Sequence, residues 1–431
     1  MSASDKNWWR APVASTAVYG EVSLPGSKSI TNREFVLAAL AAENSLLRSP
    51  LLARDTRLMM AGLAAMGINF ELGADSVLVR PGTLRGPAEV DCGLAGTVMR
   101  FLPPVAALAE GEIQFKGDEQ AQQRPMATTL ESLRILGVAI SSQADSLPFS
   151  VIGTGRVLGG ELTIDASKSS QFVSGLLLAA PRFERGLLLK HAGSQLPSLP
   201  HIEMTLECLR QRGVSAFQES ESSWRVEPSE IRGRELTIEP DLSNAGPFLA
   251  AAVVTGGTVR IPNWPDQTTQ VGREYIPILE AFGSTCELSN GLLTVTGGEQ
   301  LRGVDLDLAH AGELAPTVVA LAALAESPSR IVGISHLRGH ETDRLAALTR
   351  EINNLGGAVT ELADGLVINP KPLQPGYWHS YHDHRMATAG AIIGLRVAGV
   401  DVEDIATTQK TIPNFAELWF ELLGSDSESG R

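Results

Sequence analysis

The stretch "LAALTREINNLGGAVTELADGLVINP", residues 345–370, combines the two periodicities that decide the fold. Its first half carries apolar residues at the 3-4-3 spacing of one helix face: Leu345, Leu348, Ile352 and Leu355. A glycine follows at once, as expected for a helix C-terminus, and two β-rich arms then flank a polar turn that contains glycine. The stretch therefore predicts a helix followed by a β-hairpin.

The same pattern recurs along the chain, which indicates an internal repeat. The glycines that end these helices are Gly67, Gly137, Gly213, Gly283, Gly356 and Gly424, spaced by 70, 76, 70, 73 and 68 residues. Each copy also contains a short strand and a second, more apolar helix. The sequence thus predicts an α/β (α+β) fold of six βαβαββ units.

Six such units predict two domains of three units each, because 431 residues are too many for one hydrophobic core. The sixth unit stops without its hairpin, while the N-terminal text "APVASTAVYGEVSLP" offers spare strand residues that would close it. We therefore expect a first domain at 23–240 and a second domain formed by 1–22 and 241–431, with crossovers near residues 22 and 240. The tail 425–431 is expected to be disordered.

Composition excludes several classes of protein. There are 35 Lys and Arg residues against 49 Asp and Glu residues, a formal charge of −14, which argues against a nucleic-acid or membrane partner. Three cysteines without a CxxC pair, no signal-peptide core and no apolar run of the ~18 residues that a membrane span needs predict a cytoplasmic protein. The absence of metal-ligand spacing predicts no bound metal, and we expect no cofactor.

In every unit the more apolar helix begins with polar residues, and these residues fall at the same position within the repeat. The first example lies in "LPGSKSITNRE", residues 24–34, where ordinary N-capping is a sufficient explanation and the spacing is not that of a P-loop. The same phase carries the segments Ser27–Ser29, Gly96–Thr97, Ser167–Gln171, Ser243–Asn244, Gly312–Glu313 and His382–Arg385.

These helix starts converge on one face if the three units of a domain pack with pseudo-threefold symmetry. Helix N-termini present unpaired N–H groups and the positive end of the helix dipole, which together bind anions. Two such faces opposite each other would form a cleft rich in donors. The recurrence therefore favours anion binding over simple capping.

Further basic residues lie near these starts in sequence: Arg33, Arg100, Arg124, Arg344 and Lys410. Arg100 could only solvate its helix start, and Arg344 could pair with Glu341 at the i,i+3 spacing of a helix. Arg is suited to bidentate recognition of carboxylate and phosphate, so the collection points to an anionic ligand.

Two carboxylates stand among these cations. Glu313 falls at a helix start, where an acid satisfies the helix dipole but is also a candidate base. Glu341 lies next to His340 in the loop before a helix. His336 and His384 are further candidates, although a single histidine is more often structural.

The motifs "LPGSKSITNR", "LAGTVMR", "QRPM", "DASKSSQF", "HETDRL", "YHDHRMA" and "QKTIPNF" resemble, in the same order and across nearly the whole chain, the 5-enolpyruvylshikimate-3-phosphate (EPSP) synthase family. The resemblance implies a two-domain inside-out α/β barrel that closes around its ligands. It also implies transfer of the enolpyruvyl group of phosphoenolpyruvate to the 5-hydroxyl of shikimate 3-phosphate, a monomeric protein, and glyphosate as an inhibitor.

The resemblance assigns roles residue by residue. Glu313 is implied as the base at the 5-hydroxyl, and Lys28 with Glu341 as the pair that protonates and deprotonates the methylene carbon. Shikimate 3-phosphate contacts are implied for Lys28, Ser29, Arg33, Ser169, Ser170, Gln171, Ser198, Glu313 and His340. Phosphoenolpyruvate contacts are implied for Lys28, Gly96, Arg124, Gln171, Arg344, Arg385 and Lys410, with Thr97, His336 and His384 in support.

The chain departs from the family pattern at five positions. Glu313 stands where many members have Asp, which lengthens the reach by one methylene. The other four are His336 for Asn, His340 for Lys, Leu94 for Asn and His201 for Tyr. They affect side-chain details and not the reaction.

Two alternatives remain open. The sister enzyme that transfers enolpyruvyl to UDP-N-acetylglucosamine usually carries a reactive cysteine in the loop that corresponds to residues 117–126, and none is present there. Cys92 is interpreted instead as a small buried residue. A non-catalytic anion-binding repeat protein is the second alternative, and the carboxylates Glu313 and Glu341 argue against it.

Overall fold

The computed structural model describes residues 7–194, 196–339 and 341–424, so the tail 425–431 and His340 lie outside the described residues. Within the described ranges, helices and strands alternate throughout. The α-helices are α1 Lys28–Leu40, α2 Arg54–Ala65, α3 Gly96–Ala106, α4 Ala127–Ile135, α5 Gln171–Ala179, α6 Leu199–Gln211, α7 Gly246–Thr255, α8 Tyr275–Ala281, α9 Ala315–Leu324, α10 Arg344–Asn354, α11 His384–Gly394 and α12 Phe415–Leu422.

The strands are short, and in most repeats the last two form a hairpin. They are β1 Trp8–Arg10, β2 Tyr19–Glu21, β3 Ser45–Arg48, β4 Asn69–Leu72, β5 Ser76–Arg80, β6 Ala88–Asp91, β7 Glu110–Lys116, β8 Ala139–Ser142, β9 Phe149–Thr154, β10 Gly160–Ile164, β11 Leu187–His191, β12 Ala216–Ser220, β13 Ser223–Val226, β14 Glu235–Thr237, β15 Thr258–Pro262, β16 Thr285–Ser289, β17 Leu292–Thr296, β18 Asp305–Asp307, β19 Ser329–Val332, β20 Ala358–Glu361, β21 Leu366–Asn369, β22 Gly376–Trp378 and β23 Val400–Glu403.

The chain divides into two compact units, Gly26–Glu239 and the remainder, which joins the residues up to Pro25 with those from Pro240 onwards. We call them the inner-chain unit and the two-ended unit. Within the residues that the structure describes, each contains three small sheets.

The three sheets of the inner-chain unit have the orders β14-β3-β5-β4, β6-β7-β9-β8 and β10-β11-β13-β12. Those of the two-ended unit are β2-β15-β17-β16, β18-β19-β21-β20 and β22-β23-β1. In every sheet the first pair is parallel and the remaining pairs are antiparallel. The predicted α/β fold of six βαβαββ repeats is confirmed.

The N-terminal segment contributes to two sheets, whereas the sequence suggested one. The strand that completes the sixth repeat is β1, whose Trp8 pairs with Glu403, and it precedes the stretch 11–25 that was expected to close it. Within that stretch β2 pairs in parallel with β15 and opens the fourth repeat instead. Trp9 is buried in the core of the two-ended unit, which explains why the tryptophan-rich segment is the closing strand.

Helices form the centre of each unit, and the sheets lie outside them. In the inner-chain unit α1, α3 and α5 pack against one another, and in the two-ended unit α7, α9 and α11 do so. These helices are buried nearly all round: residues Ala315 to Ala323 of the apolar α9 are all buried, and α1 also buries the polar Asn32, Arg33 and Glu34. A helix that is buried on every side belongs inside a core, so these six helices form the centres.

The six repeat glycines end their helices as predicted. All six have positive φ, from +63° at Gly424 to +106° at Gly67, a conformation that glycine adopts without the steric cost of a Cβ. Cys92 is fully buried, which confirms its interpretation as a small core residue. Among the described residues, no helix has the length and apolar character that a bilayer span requires.

Candidate active site

Residues of the predicted site lie in both units, and each unit is described by itself. In the inner-chain unit, α1 begins with Ser27 as N-cap, whose hydroxyl accepts from the Ile30 backbone N–H at 3.4 Å. Lys28 follows, with its ammonium nitrogen 3.4 Å from a carboxylate oxygen of Asp55 on α2. The partly buried lysine is thus held in place at the helix start.

Arg33 is nearly fully buried, although the resemblance implied that it contacts a substrate. Its Nε donates to the Thr205 hydroxyl and its Nη2 to the His201 carbonyl, both at 2.8 Å. Its Nη1 donates to the Ser29 carbonyl at 2.9 Å. These bonds tie α1 to α6, so direct contact with a ligand stays a prediction for this residue.

The start of α3 gathers three polar side chains around Gly96. A Cβ placed on this glycine would lie 2.8 Å from Arg124 Nη2, 3.0 Å from Gln171 Oε1 and 3.1 Å from Arg100 Nη1. A side chain at this position would make the ends of these three side chains shift, and two of the three atoms belong to guanidinium groups. The glycine therefore leaves room for the cations that converge at the start of α3.

Both guanidiniums are anchored by main-chain oxygens. Arg124 donates to the Leu94 carbonyl at 2.7 Å, and Arg100 donates to the Pro125 carbonyl at 2.9 Å. Burial, together with the charge of Arg124, lowers the pKa of Arg100 well below its usual value. Two cations held this close favour a bound anion. Because Arg124 contacts a backbone atom of Leu94, the departure at that position leaves this contact intact.

The starts of α1, α3 and α5 meet in this unit. The Asn32 side chain donates to the Thr97 hydroxyl at 2.8 Å, which links α1 to α3, while Gln171 of α5 faces Gly96 of α3. Ser169 accepts from the Gln171 backbone N–H at 3.2 Å. Ser170 is buried beside it, and Ser198 is the N-cap of α6 with φ +55°.

In the two-ended unit, Glu313 lies in a single turn directly before α9. Its Oε1 accepts from the Ser243 hydroxyl at 2.7 Å, and its Oε2 is 3.5 Å from Arg385 Nη2. The starts of α7, α9 and α11 therefore converge here as well. The carboxylate is fixed on one oxygen by a neutral donor and balanced on the other by a cation.

Arg344 forms a bidentate ion pair with Asp383. Its Nε and Nη2 lie 2.8 Å and 3.1 Å from the two carboxylate oxygens, and both side chains are almost completely buried. Asp383 also accepts from the Arg385 backbone N–H at 2.9 Å and so caps α11. The hydrogen bonds of Arg344 therefore go to Asp383 and not to Glu341. No spacing along the chain distinguishes this aspartate as the partner, because 39 residues separate the two.

Glu341 has a partly exposed side chain (28%) held between Lys410 and His384. The ammonium of Lys410 donates to its Oε2, and His384 Nδ1 is 3.3 Å from the same oxygen. Burial opposes ionisation of Glu341, but His384, Lys410 and Arg344 outweigh it and hold its pKa well below the usual range. Burial lowers the pKa of His384 to about 4, so at neutral pH an ionised carboxylate faces a neutral imidazole and a lysine ammonium.

Glu341, Asp383 and His384 place their potential ligand atoms within 4.8 Å of one another. This geometry alone would suit a divalent cation. Arg344 and Lys410 already neutralise the two carboxylates, however, and would repel an added positive charge. The cluster is better suited to moving a proton at Glu341.

Of the two substituted histidines, His336 is half-buried and packs on the turn that carries Glu313. A Cβ on Gly312 would lie 2.4 Å from His336 Nε2. Burial and the nearby Arg344 lower the pKa of His336, so this histidine is neutral at pH 7. His340 falls outside the described residues, and its contact stays a prediction.

Solved structures share this fold. The chain matches EPSP synthase from Acinetobacter baumannii with a TM-score of 0.81 and 23% identity, over 96% of this chain and 98% of that one. It matches the enolpyruvyl transferase NikO from Streptomyces tendae with a TM-score of 0.76 and 16% identity, over 98% of both chains. The fold is that of the enolpyruvyl transferases.

The family follows from sequence. The model of the family EPSP synthase (3-phosphoshikimate 1-carboxyvinyltransferase) matches residues 13–419. A 3-phosphoshikimate 1-carboxyvinyltransferase from Kocuria rhizophila is 57% identical over 99% of both chains, and one from Mycobacterium ulcerans is 53% identical over 97% of this chain and 98% of its own. The chain belongs to the EPSP synthase family, which confirms the resemblance that the seven motifs indicated.

Proposed function

We propose that this protein transfers the enolpyruvyl group of phosphoenolpyruvate to the 5-hydroxyl of shikimate 3-phosphate, with release of phosphate, in the shikimate pathway of aromatic amino acid biosynthesis. Family membership and relatives at 57% and 53% identity with this named activity support the proposal. The observation within the chain that carries it is the pair of carboxylates Glu313 and Glu341, each held against a cation in a cluster of anion-binding groups.

The reaction is an addition followed by an elimination through a tetrahedral intermediate. Addition requires a proton on the methylene carbon and removal of the hydroxyl proton; elimination reverses the first transfer and expels phosphate. Glu341 and Lys28 carry the proton at the methylene carbon. An ionised Glu341 whose proton affinity is set by neighbouring cations can accept the proton in the elimination step.

Glu313 acts as the base at the 5-hydroxyl. Its hydrogen bond from Ser243 orients one oxygen, and Arg385 stabilises the ionised form at the other. The additional methylene relative to Asp lengthens the reach of the carboxylate, and the Ser243 contact fixes where the longer side chain ends.

Cations hold the two anionic substrates. Phosphoenolpyruvate is bound by Lys28, Gly96, Arg124, Gln171, Arg344, Arg385 and Lys410, with Thr97, His336 and His384 in support. Shikimate 3-phosphate is bound by Lys28, Ser29, Arg33, Ser169, Ser170, Gln171, Ser198, Glu313 and His340.

Arg344 donates through Nε and Nη2 to Asp383, so its Nη1 is the nitrogen that binds a substrate carboxylate. Fixed donors of this kind stabilise the departing phosphate without reorganisation.

Phosphate release distinguishes this function from the alternatives. The protein is mixed with phosphoenolpyruvate and either shikimate 3-phosphate or UDP-N-acetylglucosamine, without added metal. Release only with shikimate 3-phosphate is expected; release only with the nucleotide sugar would overturn the acceptor. Burial raises the pKa of Cys92 to about 12, so this cysteine is not a thiolate that could serve the sister reaction. Release with neither acceptor would favour a non-catalytic anion binder.

Gly96→Ala is expected to raise KM for phosphoenolpyruvate about tenfold, the effect of losing roughly 1.4 kcal/mol of binding. The added Cβ displaces Arg124 Nη2 and Gln171 Oε1, which lie 2.8 Å and 3.0 Å from the position that this Cβ takes. Steady-state kinetics with each substrate varied in turn measure the change. Glyphosate, which we propose as an inhibitor, is expected to bind more weakly to the same variant. Wild-type KM and wild-type inhibition would show that the crowding is unimportant.

Lys410→Met is expected to move the acid limb of the kcat–pH profile to higher pH. Burial alone raises the pKa of Glu341, and the surrounding cations reverse that effect; removal of one cation lets the pKa rise. The carboxylate then becomes protonated at a higher pH than in the wild type. Lys371→Met, at an exposed lysine outside the proposed site, is the matched control. If the acid limb of the kcat–pH profile did not move in Lys410→Met, ionisation of Glu341 would not be what determines that limb.

We also propose a cytoplasmic, monomeric protein. The described cysteines are unpaired, which supports a reducing compartment. Size-exclusion chromatography with light scattering tests the monomer.

A further inference from the structure

A buried polar cluster of the two-ended unit takes no part in the proposed reaction. Glu351, on α10, is 0% exposed, yet it accepts from the backbone N–H of His379 at 3.0 Å and from His379 Nδ1 at 3.1 Å. The Tyr381 hydroxyl donates to its other oxygen. A buried carboxylate is costly unless it is fully hydrogen-bonded, so a cluster that keeps one needs a reason.

The segment that donates these hydrogen bonds to Glu351 has an unusual backbone. Tyr381 and His382 have φ of +55° and +56°, so two consecutive residues other than glycine adopt the left-handed conformation. Each such residue costs about 1 kcal/mol or more and persists only where the surroundings impose it. At the first of them, the Tyr381 hydroxyl donates to Glu351, and the Arg350 side chain is a further hydrogen-bond partner of this tyrosine.

The next residue after this turn is Asp383. It holds Arg344 through two hydrogen bonds and caps α11 at Arg385, while the carbonyl of His382 lies 3.4 Å from Lys410 Nζ. Two cationic groups proposed to bind phosphoenolpyruvate, on Arg344 and Lys410, are therefore contacted by two adjacent residues, and Asp383 also holds the main chain of a third such residue, Arg385. A change in the turn would move these contacts.

Aromatic packing secures the other side of the segment. The Trp378 indole donates to the Met386 carbonyl at 2.7 Å, and the Trp8 ring of β1 meets His379 edge-on with centroids 5.5 Å apart. The last residue of β22 and the residue after it are thus held by Met386 and Trp8, respectively. Glu351 supplies the remaining anchor, at the turn itself.

We infer that Glu351 is a positioning residue: through Tyr381 it holds the left-handed turn at 381–382 and thereby sets Asp383, Arg344, Arg385 and Lys410 for phosphoenolpyruvate. The inference rests on the proposed function for the identity of the ligand. It differs from a purely structural role because it ties a buried contact to the affinity for one substrate.

Tyr381→Phe tests this role, since it removes the hydroxyl and keeps the ring. The expected result is an increase of about tenfold in KM for phosphoenolpyruvate, as for loss of a hydrogen bond to a charged group. The dissociation constant for shikimate 3-phosphate alone is expected to change less than about twofold, because most of its proposed contacts lie in the inner-chain unit. Tyr377→Phe, on the adjoining strand with its ring against Trp8, is the matched control and should behave as wild type.

A second substitution separates positioning from stability. Asn tolerates the left-handed region, so His382→Asn added to Tyr381→Phe is expected to recover most of the lost affinity. A merely structural cluster would lower Tm in Tyr381→Phe while leaving KM unchanged below the transition, and that result overturns the inference. If Tyr381→Phe does not fold, Glu351→Gln, which keeps one acceptor oxygen, is expected to raise the same KM; an unchanged KM there overturns it equally.

A crystal structure of Tyr381→Phe gives a readout that does not depend on activity. His382 is expected to leave the left-handed region and the Arg344–Asp383 pair to shift; retention of both would overturn the inference. An inactive wild type would overturn the proposed function instead, so the two failures are distinguishable.

Discussion

Glu341→Gln is expected to lower kcat roughly 10²- to 10⁴-fold, the usual contribution of a positioned acid–base group. Gln has the same shape as Glu and can still accept from Lys410, but it cannot take up a proton. Because the negative charge among the cations proposed to bind phosphoenolpyruvate is lost, binding of that anion is expected to be retained or to tighten. The loss should therefore appear in kcat and not as a rise in KM.

Single-turnover kinetics and calorimetric binding of each substrate check this result. Glu361→Gln is the matched control, because Glu361 belongs to the same unit and pairs with Arg338 outside the proposed site. Unchanged turnover in Glu341→Gln would remove this residue from the mechanism. Equal loss of binding and turnover would indicate instead that the carboxylate organises Lys410 and His384.

Glu34→Ala is expected to destabilise the inner-chain unit by about 3–5 kcal/mol, the cost of leaving a buried charge without its partner. Arg212 is completely buried, and its Nε and Nη2 lie 2.9 Å and 2.7 Å from Glu34 Oε2. Its Nη1 donates to the Ser45 hydroxyl and the Arg232 carbonyl, so the guanidinium cannot reach water without breaking these contacts. The pair joins α1 to the end of α6.

Urea unfolding followed by circular dichroism measures the change. Glu71→Ala is the control, because Glu71 pairs with Arg80 on the surface, where both side chains are about half exposed, and should leave the free energy of unfolding close to that of the wild type. Adding Arg212→Met to Glu34→Ala should recover part of the loss, since the uncompensated charge is gone. Similar effects of Glu34→Ala and Glu71→Ala would show that water reaches Arg212.

The sequence was sufficient for everything that depends on local spacing. The 3-4-3 apolar pattern, the glycine after each helix and the polar helix starts are set by residues within one repeat, and the six glycines adopt positive φ as the pattern required. The motifs were sufficient for the family, because their order and residue types are themselves sequence properties. Periodicity also predicted that helix starts would meet, as Gly96 and Gln171 do.

Tertiary structure alone decided which polar groups pair. Asp383 pairs with Arg344, which is 39 residues away along the chain, and Glu351 accepts a hydrogen bond from Tyr381, which is 30 residues away. Arg33 is buried and links α1 to α6 by a hydrogen bond. The sixth repeat is closed by β1 and not by the stretch 11–25. The physical reason is that apolar periodicity selects a face, whereas an ion pair or a strand partner depends on distances of a few ångströms between segments that spacing along the chain does not constrain.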